Sequence, residues 1–337
     1  MEENIISSII TSEDHSLDNK LRPKMLKDFV GQEKIKDNLS VIIQAAIGRG
    51  EHIDHVVLSG PPGLGKTTLA GIIANESGVQ MKSCTGPAIS RTGDLAAVLT
   101  NLEPGQVLFI DEIHRLSKQI EEVLYQAMED YRIDIILGKG PGARSLKLEL
   151  PPFTLIGATT RLGLLSSPLR DRFGLDVRID YYPASDLDHL ILRSSKILNI
   201  KIDKDALAEI ARRSRGTPRI ANRLLKRARD YVEVKHQGHI TPKFASDALN
   251  FFEVDQEGLG LIDNKILRVL VKDFEGKPIG LNTLAAAIGE EKDGLEEVYE
   301  PFLIQQGFIH KTTRGRVATA KAFNHLNVEI QSKKALF

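Results

Sequence analysis

The residues with the most chemical content form one unbroken stretch, Gly60-Pro61-Pro62-Gly63-Leu64-Gly65-Lys66-Thr67. Their spacing, G-x-x-x-x-G-K-[ST], suits a phosphate. Glycines let the backbone fold tightly around the anion so that N–H groups face it, and Lys66 sets a point charge at the β- and γ-phosphates. Thr67 offers a hard oxygen to Mg2+. A second centre lies at Val107-Leu108-Phe109-Ile110-Asp111-Glu112, an apolar run that ends in two acids after the turn residues Glu103-Pro104-Gly105. Asp111 is the candidate for holding the Mg2+ shell, and Glu112 for orienting or deprotonating an attacking water. Two acids at a strand end can also cap the following helix, and the phosphate loop is what argues for the catalytic use.

The elements that must position these groups are legible around them. Residues 55–59 read as a short buried strand, and 67–77 as a helix closed by Gly78. Apolar strands at 56–59, 79–84, 107–110, 153–158 and 177–179 alternate with helical segments, which predicts an α/β domain with a mainly parallel sheet and nucleotide at its carboxyl edge. The expected organisation is a leader at 1–20, a nucleotide domain at 21–182, a small helical lid at 183–255, a winged helix at 256–330 and a tail at 331–337. The lid reads as wholly helical, its helices opened by Ser, Asp or Thr caps or a first-turn Pro. The last domain reads helix, helix, helix, then strands 308–311 and 316–318 around Thr312-Thr313-Arg314-Gly315, the winged-helix order with a basic tip. At about 132–149 two strands around a glycine-proline turn form an inserted hairpin; Ile135, Ile136, Leu137 and Leu146 either pack at home or dock a partner.

Composition bounds the rest. With 337 residues, 42% hydrophobic and 27% charged, there is room for two or three domains with cores of their own. No apolar run approaches membrane-span length, and the short apolar segment Ile5 to Ile10 follows an acidic start, so a cytoplasmic protein is expected. The single cysteine, Cys84, excludes an internal disulfide and reads as a packed thiol. Formal net charge is zero, so a nucleic-acid partner rests on local patches. One patch is Arg212, Arg213, Arg215, Arg219, Arg223, Lys226, Arg227 and Arg229 against Asp230 alone; another is Lys311, Arg314, Arg316 and Lys321, with no acid between Gln305 and Lys321. Such runs are usually solvated faces, and the wing setting favours the second as a DNA contact.

Residues 56–67 and 108–116, the Gly157-Ala158-Thr159-Thr160 strand end, Pro168-Leu169-Arg170-Asp171-Arg172-Phe173-Gly174 and Gly216-Thr217-Pro218-Arg219 resemble the AAA+ ATPases. More closely, residues 21 to about 326 resemble the RuvB family of bacterial Holliday-junction branch-migration motors. The resemblance implies an AAA+ P-loop domain, a helical lid and a winged helix; ATP/ADP and Mg2+ as cofactors; and a homo-hexameric ring pumping duplex DNA in recombination and repair. It implies RuvA as the junction-binding partner, docked by the hairpin through Ile135 and Leu137, and the RuvC resolvase as a further one. By the same resemblance Leu21 and Arg22 fold over the adenine, Thr159 or Thr160 is the first sensor, and Arg219 is the second. Thr68, Glu129, Asp130, Tyr131 and Tyr182 join the loop residues as nucleotide contacts, and Lys311, Arg314 and Arg316 touch DNA. Arg172 is the implied arginine finger, with Arg170 in support; a local ion pair with Asp171 is the structural alternative. Two other classes remain in view: a sequence-specific ATP-switched initiator, and a protein-unfolding ATPase, which the basic wing disfavours.

Overall fold

The computed structural model describes residues 20–137 and 144–329, with the side chains of 135–137, 144 and 145 outside that description. The chain divides into two compact units: Arg22–Gly60 with Leu64–Asp180, and Tyr181 onward together with Leu21 and the loop tip Pro61–Gly63.

In the first unit a helix α1 (Glu33–Arg49) leads to β1 (Val56–Ser59), the phosphate loop and α2 (Lys66–Glu76). Then come β2 (Met81–Thr85), α3 (Thr92–Thr100), β3 (Val107–Asp111), α4 (Lys118–Asp130), β4 (Arg132–Leu137), β5 (Arg144–Glu149), β6 (Thr154–Thr159), α5 (Ser167–Asp171) and β7 (Leu175–Arg178). The sheet order is β2-β3-β6-β1-β7, every pairing parallel. β1 and β6 are buried along their whole length, which explains why they read as unbroken apolar runs: helices cover both faces. Register decides where the chemistry falls. Ser59 pairs with Thr159, Thr85 with Asp111, and Ile110 with Gly157, so the loop, the acids and the threonines leave the sheet at one edge. Leu108, Ile110 and Leu155 pack on one face against Leu95, Leu99, Ile120 and Leu124 from α3 and α4. Cys84 lies against this core, and burial pushes its thiol pKa up, as expected of a packed, unreactive cysteine.

The inserted hairpin is present as β4 and β5, antiparallel from Arg132 opposite Glu149 to Leu137 opposite Arg144. Its base packs at home through the fully buried Ile133 and through Leu148. The side chains of Ile135 and Leu137, on which the docking expectation rests, lie outside the described residues.

The second unit holds the lid and the winged helix together. The lid comprises α6 (Ala184–Ile197), β8 (Lys201–Ile202), α7 (Lys204–Arg213), α8 (Pro218–Lys235), β9 (His239–Ile240) and α9 (Pro242–Phe251). It is therefore not wholly helical: β8 and β9 pair in parallel, two residues each, too short for a sequence period to register. The winged helix has α10 (Leu261–Arg268) running on into a π turn (Val269–Asp273), α11 (Leu281–Ile288), a π turn (Leu295–Tyr299) leading into α12 (Glu300–Gln305), β10 (Ile309–Thr312), β11 (Gly315–Ala318) and α13 (Ala320–His325). A bridge between Ile279 and Arg316 adds a third strand position to the wing.

The arginine cluster at 212–229 corrects the reading of a solvated or DNA-facing patch, because much of it is internal scaffold. Arg213 is fully buried and donates to Asn250 Oδ1 (2.8 Å), the Val254 carbonyl (2.9 Å) and Ser246 Oγ (2.9 Å). Arg215 donates through Nε to the Gly258 carbonyl at 2.7 Å, pairs with Asp263 through Nη2, and lies 4.5 Å over the Phe302 ring. Asp263 in turn accepts the Gly260 N–H at 2.9 Å, so one carboxylate both caps α10 and holds the lid arginine. Breaking a buried pair strands the partner charge, so Asp263→Ala should cost about 3–5 kcal/mol and lower the calorimetric midpoint of the lid and winged-helix transition. Asp263→Asn, which keeps an acceptor at the cap, should lose less; equal, negligible losses in both would mean the pair is not what joins the two parts.

Candidate functional site

The loop leaves β1 at Gly60, whose φ of 143° and contact with the Ile179 carbonyl leave no room for a Cβ. Lys66 opens α2, is 8% exposed, and donates from Nζ to the Gly60 carbonyl at 2.7 Å, so its ammonium is held across the mouth of the loop. Thr67 Oγ1 donates to Asp111 Oδ2 at 3.5 Å. A hydroxyl and a carboxylate oxygen side by side are the hard donors that suit Mg2+, which leaves further positions to phosphate and water.

At the end of β3 the chain turns abruptly. Glu112 has φ 51° and ψ 43°, a left-handed conformation that is uncommon outside glycine, and its N–H donates to Asp111 Oδ1 at 3.0 Å. Its carboxylate accepts from Arg115 Nε at 2.8 Å. This turn carries His114, whose Nδ1 lies 3.0 Å from Thr159 Oγ1. The two threonines at the strand end are thereby distinguished. Thr159 is tied to His114 and to the Arg161 N–H (2.9 Å), whereas the buried Thr160 Oγ1 has no hydrogen-bond partner.

Arg172 does not pair with Asp171. It stands at the C-cap of α5 and reaches α4, donating to Tyr125 OH at 2.8 Å and Glu129 Oε1 at 2.6 Å, with its guanidinium 4.8 Å over the Tyr125 ring. Tyr125 and Glu129 are four residues apart and so share one helix face. The hydrogen bond to Tyr125, helped by Glu129, raises the Arg172 pKa further. Asp130 pairs with Arg132 at 3.1 Å and Tyr131 packs on Phe153, while Arg170 is exposed. Sequence reasoning had Glu129 in hand only as a nucleotide contact and missed Tyr125 altogether. An aromatic on an amphipathic helix face gives no local signal of what will cross it.

In the second unit the loop tip meets the start of α8. The Arg219 N–H points at the Gly63 carbonyl (3.4 Å), and a Cβ on Gly63 would press on the Thr217 methyl at 2.9 Å. Arg219 therefore stands beside the loop tip. Tyr182 is buried, its N–H donates to the Gly216 carbonyl (2.9 Å), and burial drives its phenol pKa well up, so it stays neutral. Leu21 is buried in the same unit, its carbonyl accepting from Arg193 Nη1 at 2.7 Å.

The wing differs from expectation in its neighbours. Acid-free in sequence, it faces acids from the preceding helical run: Lys311 meets Glu296 at 3.0 Å, and Arg316 forms a bidentate pair with Glu300 at 2.5 and 3.0 Å. Arg316 is 7% exposed and Glu300 2%, so this is a buried brace between β11 and α12 rather than the open cation expected. Arg314 at the tip and Lys311 are exposed. Among the described residues no cluster of His, Cys, Asp or Glu has the make-up of a metal centre, and no helix is long and apolar enough to cross a membrane.

Comparison with known families covers nearly the whole chain. Residues 21–179 match the Holliday junction DNA helicase RuvB P-loop domain, 182–255 the RuvB AAA lid domain, and 256–327 the RuvB C-terminal winged helix domain. A solved structure of the Thermotoga maritima RuvB Holliday junction branch migration motor is 48% identical, covering 92% of this chain and 99% of its own, with a TM-score of 0.85. Two point variants of that Thermotoga maritima RuvB match at 49% identity, with the same coverage and TM-score.

On the expectation that Lys66 serves ground-state phosphates and Glu112 a water only as the reaction proceeds, binding and turnover should separate. Lys66→Ala should abolish ATP binding, whereas Glu112→Gln should keep affinity and lose about 10²- to 10⁴-fold in kcat. Titration of a fluorescent ATP analogue beside steady-state turnover checks this; equal loss of affinity in both variants would remove Glu112 from its role.

Proposed function

The chain belongs to the family of the Holliday junction DNA helicase RuvB, and from that premise we propose how its residues make an ATP-driven branch-migration motor. The observation that carries the reading is the convergence of Lys66, Thr67, Asp111, Glu112 and Thr159 on one edge of a parallel sheet. Loop amides and Lys66 bind the triphosphate, and Glu112, freed from Arg115, orients the water that attacks the γ-phosphorus to give ADP and phosphate. Thr67 and Asp111 would hold Mg2+, which would supply neutralisation of phosphate charge. Arg219 follows the phosphates from the lid side, since it stands beside Gly63 at the loop tip. The adenine belongs near Leu21, Arg22 and Tyr182.

Arg172, with Glu129, Asp130 and Tyr131 at the end of α4, forms a surface for the nucleotide of a neighbouring subunit in a homo-hexameric ring. A guanidinium already held by a phenol and a carboxylate is set for exchange with a phosphate, which binds it at least as well. The hairpin docks RuvA through Ile135 and Leu137, with RuvC as a further partner, and the working compartment is the cytoplasm.

DNA meets the wing through phosphate contacts, which position a protein without reading sequence and so suit a motor that travels. Lys311 and Arg314 are the exposed contacts. Arg316, buried in its pair with Glu300, braces the wing from beneath, so its removal perturbs the wing's shape. Arg314→Ala should weaken duplex binding about equally for unrelated sequences and reduce the log K against log salt slope by about 0.9. Basal ATPase should stay intact while its stimulation by DNA falls. Strong dependence on one sequence would favour the initiator, and an unchanged slope in Lys311→Ala/Arg314→Ala would move the DNA site off the wing.

A further inference from the structure

Arg172 is gripped by two partners of different charge. Its Nη2 donates to Tyr125 OH at 2.8 Å and meets Glu129 Oε1 at 2.6 Å, and the guanidinium carbon lies 4.8 Å from the centre of the Tyr125 ring. Both bonds use one nitrogen, which leaves the Nε and Nη1 donors to another ligand. A bidentate grip on a phosphate, however, pairs Nη2 with Nε or with Nη1, so one partner has to yield when a phosphate arrives. Glu129 is an anion, and a phosphate repels it. Tyr125 offers an uncharged hydroxyl and the face of an aromatic ring, and neither carries a charge that a phosphate pushes away.

The frame around this contact is fixed. Ile120, Leu124, Ala127 and Met128 anchor α4, and Leu169 and Phe173 anchor the chain on either side of Arg172, all buried in one core. The freedom that remains is that of the Arg172 side chain, which is 37% exposed. A long exposed arginine without a partner spreads over many rotamers, and a tyrosine on an anchored helix does not. Resting on the reading of Arg172 as the finger that serves a neighbouring subunit, we propose that Tyr125 is a positioning residue for ATP hydrolysis: its hydroxyl and ring hold the guanidinium in its working position while Glu129 gives way to the γ-phosphoryl group. Glu129 is then the partner of the waiting state, and Tyr125 the partner of both states. An arginine finger contributes about 10³- to 10⁵-fold where it acts, and a misplacement of about 1 Å costs on the order of 100-fold.

The test uses the full-length chain with duplex DNA and ATP, reading kcat, KM and the affinity for a fluorescent ATP analogue. Tyr125→Phe, which keeps the ring and with it the packing of α4, should lower kcat roughly 3- to 10-fold, and Tyr125→Leu, which removes ring and hydroxyl, roughly 10- to 100-fold. KM and analogue affinity should stay within about threefold in both, since positioning acts on the transition state and not on ground-state binding. Mixing then assigns the defect to a subunit. Tyr125→Leu chains mixed with Glu112→Gln chains should exceed the sum of the separate rates, because the Glu112→Gln chain brings an intact finger to an intact base. Mixed with Arg172→Ala chains they should gain nothing, because neither chain has a working finger. Wild-type kcat in Tyr125→Phe, or the opposite pattern of recovery with co-assembly verified, would overturn the proposal. Wild-type kcat in Arg172→Ala would be a different failure: Tyr125 would have no finger to hold, and the two-subunit reading would fall with it.

Discussion

Parallel register is the constraint on which the rest of this structure depends. Because β1, β3 and β6 run side by side in one direction, with Ser59 opposite Thr159 and Ile110 opposite Gly157, everything that follows each strand emerges at one edge. The phosphate loop, the acid pair and Thr159 are far apart in sequence and adjacent because of hydrogen bonds that carry no side-chain information. A parallel ladder needs helical crossovers, and those helices bury the strands on both faces, so the sheet is rigid where the chemistry needs it to be. At that edge the backbone takes positive φ at Gly60 and Glu112.

Arginine is used in two opposed ways. Arg213, Arg215 and Arg316 are buried and bonded to carboxylates, amide or carbonyl oxygens, where the cost of desolvation is offset by several charge-assisted bonds each. Their task is to fix how lid, winged helix and wing sit within the second unit. Arg172 and Arg314 are more exposed, and on the proposed reading their value lies in what they can leave or reach. The planar guanidinium serves both ends because it matches carboxylate and phosphate geometry equally well. Composition alone cannot separate the two uses.

The contiguous features were legible in the sequence: the loop and helix at 60–76, the acid pair after an apolar strand, the α/β alternation, the hairpin and the winged-helix order all stand in the structure. Each is written in one local run whose period or turn residues reflect its own backbone. What escaped was settled by distance in sequence. Glu300 and Glu296 face a wing that looked acid-free because they arrive from a preceding helical run. Tyr125 and Glu129 hold Arg172 from a helix more than forty residues away, and His114 meets Thr159 across the same gap of sheet. The two-residue strands of the lid escaped for a simpler reason, having no period to read.

The central claim is that hydrolysis needs two subunits, with Lys66 and Glu112 on one and Arg172 on the next. Mixing Arg172→Ala chains with Glu112→Gln chains, each inactive alone, tests it most directly. ATPase should reappear in the co-assembled mixture, at interfaces that pair an intact finger with an intact base, and should peak near equal proportions. No recovery at any ratio, with co-assembly verified, would contradict the account and return Arg172 to its own subunit.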